Sequence, residues 1–444
     1  MNNDTISAIA TANGVGSIAI VRISGEAALY IAHKLTNNTK LSPRYAKLLN
    51  IYNENKELLD EAIVIYFKAP HSFTAEDVVE IQCHGGFIVA NSILKATLAF
   101  GARVANAGEF TKRAFFNGRI DLTQAEAIAA LIEAKSQDAQ KILSSQMKGE
   151  LKEYIENIRD EIVHILAYSE VTIDYAEEDL PTNLVEQIDS KLQNLKNSLE
   201  ATLKASKARE GLMQGFRVAI VGKPNVGKSS LLNALLNYNR AIVSDIAGTT
   251  RDTIEEQLKI GTHLVRIVDT AGIREANDEI EKIGIQRSYS AISESDIVVA
   301  LFDASRLCDE EDEQILELLK KSNKEILYVK NKIDLESKFF YNDINFDVAL
   351  NSKRSVESLI IKLEDIMNKT NSSDEIMLIS QRQINAVQNS LQNIEESFDS
   401  LRNQELEIFS FCLINAIKEL SSITRAYDND EMLDKMFSSF CLGK

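Results

Sequence analysis

The sequence feature that most constrains the fold is the run Gly222-Lys-Pro-Asn-Val-Gly-Lys-Ser229, which has the spacing G-x-x-x-x-G-K-S. Glycines at this spacing let backbone N–H groups turn toward phosphate oxygens, and a following helix adds a partial positive charge. An apolar run at 216–221 precedes the motif and an amphipathic run at 230–236 follows it. The sequence therefore predicts a phosphate-binding loop (P-loop) in a doubly wound α/β sheet, with Lys228 on the terminal phosphates and Ser229 on Mg²⁺.

Two later motifs stand in the order that a nucleotide-hydrolysing domain requires. Asp269-Thr-Ala-Gly272 ends an apolar run, where an aspartate can hold Mg²⁺ through water and a glycine N–H can meet a γ-phosphate. Asn331-Lys-Ile-Asp334 follows another apolar run, and the Asp334 carboxylate can accept hydrogen bonds from N1–H and the 2-amino group of guanine. Either motif alone is also typical of ordinary turns. Together, behind the P-loop, they resemble the motifs of Ras-like GTPases and predict that the nucleotide is GTP or GDP.

The segment 244–252, between the first two motifs, is polar and rich in hydroxyl groups. Such a segment is typical of a mobile switch that closes on Mg²⁺ and the γ-phosphate, with Thr250 as the magnesium ligand, although a plain surface loop has the same composition. Ile273 stands where Ras-like proteins have the glutamine that orients the attacking water. Because isoleucine cannot hydrogen-bond water, either hydrolysis is slow or a polar residue in 274–281 performs this task.

The predicted nucleotide site combines these motifs. Its residues are Asn225, Val226, Gly227, Lys228, Ser229, Ser230, Ser244, Asp245, Ile246, Ala247, Gly248, Thr249, Thr250, Asp269, Thr270, Ala271, Gly272, Asn331, Lys332 and Asp334. The Mg²⁺ ligands among them are Ser229 and Thr250. Asn351-Ser-Lys353 occupies the position of a further base contact in such GTPases, but two of its residues differ from the usual Ser-Ala-Lys, which weakens the prediction of that contact.

Three domains are predicted from the periodicity along the chain. Residues 1–118 alternate strand-like and helix-like runs and predict an α+β domain. Apolar residues at helical spacing dominate 119–211 and return at 372–444, which predicts an all-α domain. The predicted α/β nucleotide domain, 212–371, lies between the two helical stretches. We expect one discontinuous helical domain with an inserted nucleotide domain, and two separate helical domains are the alternative.

The first helical stretch has a recognisable start at Asp121-Leu-Thr-Gln-Ala-Glu126. Thr123 and Glu126 have the spacing of a capping box, in which the two side chains bind each other's backbone N–H groups. The sequence therefore predicts that a helix begins here with Thr123 as its cap.

Charge and composition limit the kinds of partner. The 444 residues carry a net charge of −17, but residues 1–120 carry +2, so the rest carries −19. Nonspecific nucleic-acid binding needs a broad basic surface, so any anionic partner is expected at the first domain or a local patch. Four well separated cysteines without a C-x-x-C pattern fit reduced thiols. No apolar run reaches about 20 residues and no secretory signal is visible, so we expect a cytoplasmic protein without a membrane span.

The GTPase motifs, with other runs outside the nucleotide domain, resemble the MnmE (TrmE) family of tRNA-modification GTPases over essentially the whole chain. This combination of runs is more specific than the GTPase motifs alone. The matching runs are Asp4-Thr-Ile-Ser-Ala-Ile-Ala10, Val21-Arg-Ile-Ser-Gly25, His84-Gly-Gly86, Gly108-Glu-Phe-Thr-Lys-Arg-Ala-Phe115, Asp121-Leu-Thr-Gln-Ala-Glu-Ala127, Ile246-Ala-Gly-Thr-Thr-Arg-Asp252 and Phe437-Ser-Ser-Phe-Cys-Leu-Gly-Lys444.

For the nucleotide domain, the resemblance implies GTP hydrolysis that depends on K⁺ and on association of two G domains across a homodimer. The monovalent ion takes the charge role of an arginine finger. The implied K⁺ ligands are Asn225, Ser244, Ile246 and Thr249. The residue that matches the family's water-orienting glutamate is Glu281, which answers the question raised by Ile273.

For the N-terminal domain, the resemblance implies a folate-binding fold that holds a tetrahydrofolate derivative, either 5-formyl- or methylene-tetrahydrofolate. The matching contact positions are Arg22, Glu80, Arg119 and Lys444. The family has lysine at the position of Arg119, so the charge is kept but the geometry differs. Without the resemblance, Arg22 and Glu80 read equally well as exposed strand residues. Cys441 is a candidate nucleophile near the folate, or a small hydrophobe packed among phenylalanines.

The resemblance also implies partners. Family members act with a FAD-dependent protein, MnmG (GidA), in a heterotetramer, and together they add a carboxymethylaminomethyl or aminomethyl group to C5 of the wobble uridine of certain tRNAs. FAD belongs to the partner, since the chain has no G-x-G-x-x-G fingerprint. The alternatives are a GTPase switch that serves ribosome or RNA assembly without base chemistry, and a purely structural switch.

Overall fold

The computed structural model describes residues 4–12, 14–134, 136–174, 184–208, 210–238, 256–268, 291–322, 324–341, 346–369 and 376–425, and positions 433, 436–438, 440 and 443. The chain divides into two compact units. The first unit comprises 1–132, 145–196 and 380–444, and the second comprises 133–144 and 197–379.

Strands and helices alternate at the start of the chain and again after residue 215. The first stretch contains β1 (Ile6–Ile9), β2 (Ile18–Ser24), α1 (Ala28–Thr36), β3 (Lys47–Tyr52), β4 (Leu58–Phe67), β5 (Val78–His84), α2 (Phe87–Ala99), β6 (Arg103–Val104) and α3 (Glu109–Phe116). Helices follow as α4 (Leu122–Glu133), α5 (Gln137–Met147), α6 (Glu150–Asp174), α7 (Leu184–Ala208) and α8 (Glu210–Gln214). Next come β7 (Phe216–Val221), α9 (Lys228–Tyr238), β8 (Glu256–Ile260), β9 (His263–Val268), β10 (Ile297–Asp303), α10 (Glu310–Lys321), β11 (Glu325–Asn331), β12 (Phe346–Val348), α11 (Lys353–Lys369), α12 (Gln381–Arg402) and α13 (Leu406–Thr424).

The sheet of the first unit has six strands in the order β3-β4-β5-β2-β1-β6. Its neighbouring strands are antiparallel, except that β1 and β6 are parallel. Val21 and Ile23 of β2 are buried in one cluster with Ile31 of α1. Because side chains alternate along a strand, Arg22 points to the opposite face, where the register sets it beside Glu80 of β5.

Helix α4 is capped by Asp121. The Asp121 carboxylate accepts hydrogen bonds from the N–H groups of Thr123 at 2.7 Å and Gln124 at 3.1 Å. In return, Gln124 Oε1 accepts one from the Asp121 N–H at 3.0 Å. The capping box therefore joins Asp121 and Gln124, and the prediction that Thr123 and Glu126 form it is wrong. The aspartate two residues earlier already satisfies the first N–H groups of the helix.

Glu126 instead joins α4 to α12. Its carboxylate accepts hydrogen bonds from the Arg382 guanidinium at 2.8 and 2.9 Å and from Gln383 Nε2 at 2.6 Å. Arg382 also donates to the Ile423 carbonyl near the end of α13, at 3.0 Å. Helices from both sides of the nucleotide segment therefore lie in one compact unit. The boundaries of the three predicted domains remain a prediction.

The sheet of the second unit also has six strands, in the order β12-β11-β10-β7-β9-β8. Only β8 and β9 are antiparallel among these described strands. All seven residues of β10 are buried, as expected of a parallel strand that is covered on both faces. The carboxyl ends of β7, β10 and β11 share one edge, so the loops that follow them converge there. A mixed sheet, a set of helices and a largely parallel sheet agree with the predicted multidomain fold class.

A network of charged side chains ties β1 to α3 and to the loop before β5. Arg113 donates to Asp4 at 2.7 Å and to Glu76 at 3.2 Å, and Arg103 donates to Asp4 and, at 2.9 Å, to Glu109. Hydrogen bonds from Arg103 and Arg113 hold the pKa of Asp4 below its ordinary value. Burial raises the pKa of Glu109, but the hydrogen bonds from Arg103 and the Asn106 N–H, together with the positive charges of Arg103 and Arg113, outweigh it and the pKa is lowered.

We predict that this network of ion pairs stabilises the fold at neutral pH and no longer does so in acid. A carboxyl whose pKa is depressed by folding stabilises the fold above its unfolded pKa, about 4, and the contribution disappears as the pH falls through the folded pKa. Arg113→Met should cost about 2 kcal/mol at neutral pH, between the values for buried and surface pairs, and should reduce the acid dependence. Hydrogen exchange of β1 and α3 peptides between pH 3 and 7, with rates corrected for pH, measures both effects. The exposed Arg402→Met is the control; equal acid sensitivity in all three proteins would contradict the prediction.

Candidate functional site

The P-loop connects β7 to α9 at the shared edge of the second sheet, and two of its glycines are required by close contacts. Gly222 has φ +155°, and a Cβ there would lie 2.3 Å from the Leu301 carbonyl oxygen of β10. Gly227 has φ +108°, and a Cβ there would lie 2.4 Å from Asn331 Nδ2. The motif glycines therefore let the loop pack directly against the ends of β10 and β11.

Lys228 is folded back over the loop that it ends. Its ammonium donates to the carbonyl oxygens of Gly222 at 2.7 Å and Lys223 at 2.8 Å. Burial lowers the pKa of Lys228. A partly desolvated ammonium held by neutral carbonyls gains strongly from an anion, so the residue is placed to accept phosphate oxygens. Ser229 and Ser230 follow in the first turn of α9.

The first two residues of the Asn331-Lys-Ile-Asp334 motif hold the P-loop from the end of β11, which lies beyond β10 in the sheet. The buried Asn331 amide donates to the Val226 carbonyl at 2.8 Å. Lys332 donates to the Asn225 carbonyl at 2.9 Å and to the buried Asp303 carboxylate at 2.6 Å. Burial raises the pKa of Asp303, but the hydrogen bonds from Lys332 and Ser305 outweigh it and lower the pKa. The structure thus brings the predicted phosphate-binding and base-reading motifs together.

Asp334 lies on the exposed side of this junction, where a base can reach it. Its carboxylate accepts a hydrogen bond from Asn351 Nδ2 at 3.1 Å. The segment whose match to Ser-Ala-Lys is incomplete therefore still lies beside the carboxylate that is predicted to read the base.

The remaining residues of the predicted nucleotide site fall outside the described residues. They are Ser244, Asp245, Ile246, Ala247, Gly248, Thr249, Thr250, Asp269, Thr270, Ala271 and Gly272, together with Glu281. Within the described ranges, no group of three His, Cys, Asp or Glu side chains is placed to hold a metal ion. No helix in the described part of the chain is long and apolar enough to cross a membrane.

In the first unit, Arg22 lies in a partly enclosed polar site. Its guanidinium pairs with Glu80 at 2.9 Å, and each side chain is 17% exposed. Rings of Phe73 and Phe110 lie 5.6 and 5.5 Å from the guanidinium carbon, within cation–π distance. Arg22 also donates to the Gly443 carbonyl at 3.3 Å.

The segment near the end of the chain reaches this site by close backbone contacts. Gly443 has φ +89°, and a Cβ there would lie 2.5 Å from the Ile9 carbonyl oxygen. A Cβ on Gly108 would lie 2.2 Å from the Phe437 carbonyl oxygen. The Phe437 ring packs against Phe115 and Phe440. The neighbouring predicted site residues, Cys441 and Lys444, lie outside the described residues.

Among the described residues, no hydrogen bond or ion pair joins Arg119 to Arg22 or Glu80. It is exposed in the turn after α3, and its backbone N–H donates to the Ala114 carbonyl at 2.9 Å.

Two residues at the nucleotide site had no signal in the sequence. Lys223, a variable position of the P-loop motif, pairs with Asp309 at 2.5 Å and Asp312 at 2.9 Å. Asp303 anchors Lys332. Each partner lies tens of residues away along the chain, so no local spacing reveals the pairs.

The chain is similar to known proteins over its whole length. The family profile described as the GTP-binding protein TrmE N-terminus matches residues 5–119, and the profile of the MnmE helical domain matches residues 122–441. The tRNA modification GTPase MnmE of Sulfurimonas denitrificans is 74% identical over 100% of both chains. The proteins of the same name from Nitratiruptor sp. and Aliarcobacter butzleri are 58% and 56% identical, each over 100% of this chain and 99% of its own.

Among solved structures, Era in complex with MgGDPNP and nucleotides of 16S ribosomal RNA overlaps 40% of this chain and 66% of its own length. The sequence identity is 22% and the TM-score is 0.25, a likeness too low to support an argument.

We predict that Asp334→Asn weakens guanine selectivity. The asparagine amide can no longer accept both hydrogen bonds from N1–H and the 2-amino group, and mismatched polar groups should cost about 100-fold in the preference for GDP over ADP. Competition of GDP and ADP against a fluorescent guanine nucleotide measures this preference. Asn351→Ala is the matched control, because it removes a contact to Asp334 but keeps the carboxylate. An unchanged preference in Asp334→Asn would refute the base-reading role.

Proposed function

The chain belongs to the MnmE (TrmE) family, and from this membership we propose that it is a GTP hydrolase that serves tRNA modification. The observation that carries the proposal is the 74% identity, over the full length of both chains, to a tRNA modification GTPase. The P-loop, Lys228 and the Asn331–Asp334 motif, which meet at one sheet edge, supply the parts that bind a guanine nucleotide.

Each part of GTP and its Mg²⁺ is assigned to particular residues. Lys228 would meet the β- and γ-phosphates, since its ammonium already lies over the loop on the Gly222 and Lys223 carbonyls. Asp334 would read the guanine edge. Ser229, in the first turn of α9, and Thr250 would hold Mg²⁺, which neutralises charge that develops on the phosphates.

The hydrolysis step is proposed to depend on K⁺ and on a homodimer. The proposed ligands are Asn225, Ser244, Ile246 and Thr249. Asn225 supports this assignment, because it is exposed and its left-handed backbone, φ +65°, is fixed by the hydrogen bond from Lys332 to its carbonyl. A monovalent ion there would supply positive charge near the phosphates, and Glu281 would orient the attacking water.

We predict that replacing K⁺ by Na⁺ at equal ionic strength slows GTP hydrolysis about tenfold or more, since a positioned positive charge is lost. Glu281→Ala should slow hydrolysis in K⁺ about 100-fold, as expected of a lost water-orienting base. Steady-state phosphate release measures both, and GDP affinity in each salt is the control. Equal rates in the two salts would refute the K⁺ proposal, and light scattering that finds only single chains with a GTP transition-state analogue in K⁺ would refute the homodimer.

The chemistry on tRNA is proposed for the N-terminal site. Arg22 and Glu80, with Arg119 and Lys444, would hold a 5-formyl- or methylene-tetrahydrofolate that supplies the one-carbon unit. The 17% exposure of Arg22 and Glu80, the adjacent Phe73 and Phe110 rings and the nearby Gly443 carbonyl fit a site for a flat, anionic ligand. Cys441 is proposed as a nucleophile.

The product is proposed to be a carboxymethylaminomethyl or aminomethyl group at C5 of the wobble uridine of certain tRNAs. A FAD-dependent partner of the MnmG (GidA) kind would join the chain in a heterotetramer in the cytoplasm. The net charge of −19 beyond residue 120 supports this division of labour, because an acidic surface binds RNA poorly by itself.

We predict that cells without this protein contain tRNA lacking the wobble-uridine group, which mass spectrometry of total tRNA nucleosides detects. Wild-type protein should restore the group, whereas Arg22→Met and Cys441→Ser should not. Arg22→Met should also bind 5-formyl-tetrahydrofolate about tenfold more weakly, because a charge-assisted contact is lost, while its GTP hydrolysis persists. The exposed Arg402→Met is the control. Unaltered wobble uridines in the deletion strain would instead favour a role in RNA assembly.

A further inference from the structure

The side chain of Lys223, the second residue of the P-loop, contacts the start of α10. The side chain is 9% exposed, and its ammonium contacts the carboxylates of Asp309 at 2.5 Å and Asp312 at 2.9 Å. Burial lowers the pKa of Lys223, but the hydrogen bonds to the two carboxylates outweigh it and raise the pKa. One positive charge is thus matched by two negative charges, and Lys223 is not available as a phosphate ligand.

The two carboxylates are also held by contacts of their own at the start of α10. Asp309 is the N-cap of α10, and its side chain accepts hydrogen bonds from the N–H groups of Glu311 and Asp312, both at 3.2 Å. The Asp312 carboxylate in return accepts the Asp309 N–H at 3.3 Å. A capping box holds both side chains at the start of the helix. Lys223 therefore binds to a preorganised pair of acceptors.

The backbone of the same residue holds the phosphate-binding lysine. The Lys223 carbonyl accepts a hydrogen bond from Lys228 Nζ at 2.8 Å, next to the Gly222 carbonyl at 2.7 Å. The same residue thus contacts the start of α10 through its side chain and Lys228 through its carbonyl oxygen. A chain of direct contacts therefore runs from the capping box of α10, through Lys223, to the ammonium of Lys228.

We propose that Lys223 is a positioning residue for nucleotide binding, which fixes the first half of the P-loop to the start of α10 and so presets Lys228. The inference rests on the proposed function, because it concerns how tightly the same site holds a guanine nucleotide. Without the anchor, the loop must be ordered when the nucleotide binds, and part of the binding free energy is lost to that ordering.

The test compares release of a fluorescent GDP from the full-length wild-type chain, four single variants and one double variant. Lys223→Met keeps the length of the side chain without its charge, and Lys223→Arg keeps the charge and can reach both carboxylates. Asp312→Asn removes one buried charge but keeps an acceptor for the Asp309 N–H. Lys321→Met, at the far end of α10, makes the same charge change on a side chain that is 77% exposed.

Lys223→Met and Asp312→Asn should each release GDP about tenfold faster than wild type, because part of the binding free energy is then spent on ordering the loop. The Lys223→Met/Asp312→Asn double variant should be no faster than either single one, since both remove the same contact. Lys223→Arg should restore slow release, and Lys321→Met should match wild type. Thermal unfolding of the nucleotide-free proteins separates this role from simple stabilisation, which would shift unfolding but leave release unchanged.

Wild-type release rates in both Lys223→Met and Asp312→Asn would overturn the role of Lys223. If Lys223→Met does not fold, Asp312→Asn alone decides, with the same two outcomes. A wild-type chain that binds no fluorescent GDP would instead refute the proposed function.

Discussion

The hydrogen bond from the buried Asn331 amide to the Val226 carbonyl is the contact on which the nucleotide site depends. It joins the end of β11 to the P-loop, and it leaves space only for a glycine at 227, where a Cβ would lie 2.4 Å from the amide. Lys332 then reaches the Asn225 carbonyl, and Asp334 follows at the exposed rim. One buried side chain thereby sets the separation between the predicted phosphate-binding and base-reading ends of the site, because the loop and the strand cannot move apart without exposing unpaired polar groups.

At the N-terminal site, ion pairs of neighbouring residues hold an aromatic ring in place beside Arg22. Phe110 lies on α3 between Glu109 and Arg113, which are both held by the charged network. The same ring lies 5.5 Å from the Arg22 guanidinium carbon. Arg22 therefore depends on salt bridges that it does not make itself. Residues of the runs Val21–Gly25 and Gly108–Phe115, which look unrelated along the sequence, are parts of one packed arrangement.

The sequence predicts those parts of the structure that depend on residues close together along the chain. The P-loop, its flanking strand and helix, and the position of Asp334 follow from spacing and alternation, and the structure places them as expected. The cap of α4 was predicted wrongly because Thr123 and Asp121 both suit a cap, and local spacing does not tell which one wins. The predicted capping role of Glu126 is wrong because its partner, Arg382, lies more than 250 residues away along the chain. The same reason applies to Lys223 and Asp303, whose partners lie tens of residues away along the chain.

The contact between Arg22 and the Gly443 carbonyl spans 421 residues. A ribosome adds about 5–20 residues per second, so residue 443 is synthesised roughly 20–80 s after Arg22. During that interval the first sheet can already pair its strands, since β1 to β6 lie within the first 104 residues. Arg22 and the backbone around Ile9 would meanwhile lie open to solvent and to other proteins. The nascent chain thus passes through a state with a formed sheet and an unfinished site, which is a period of exposure to chaperones and proteases.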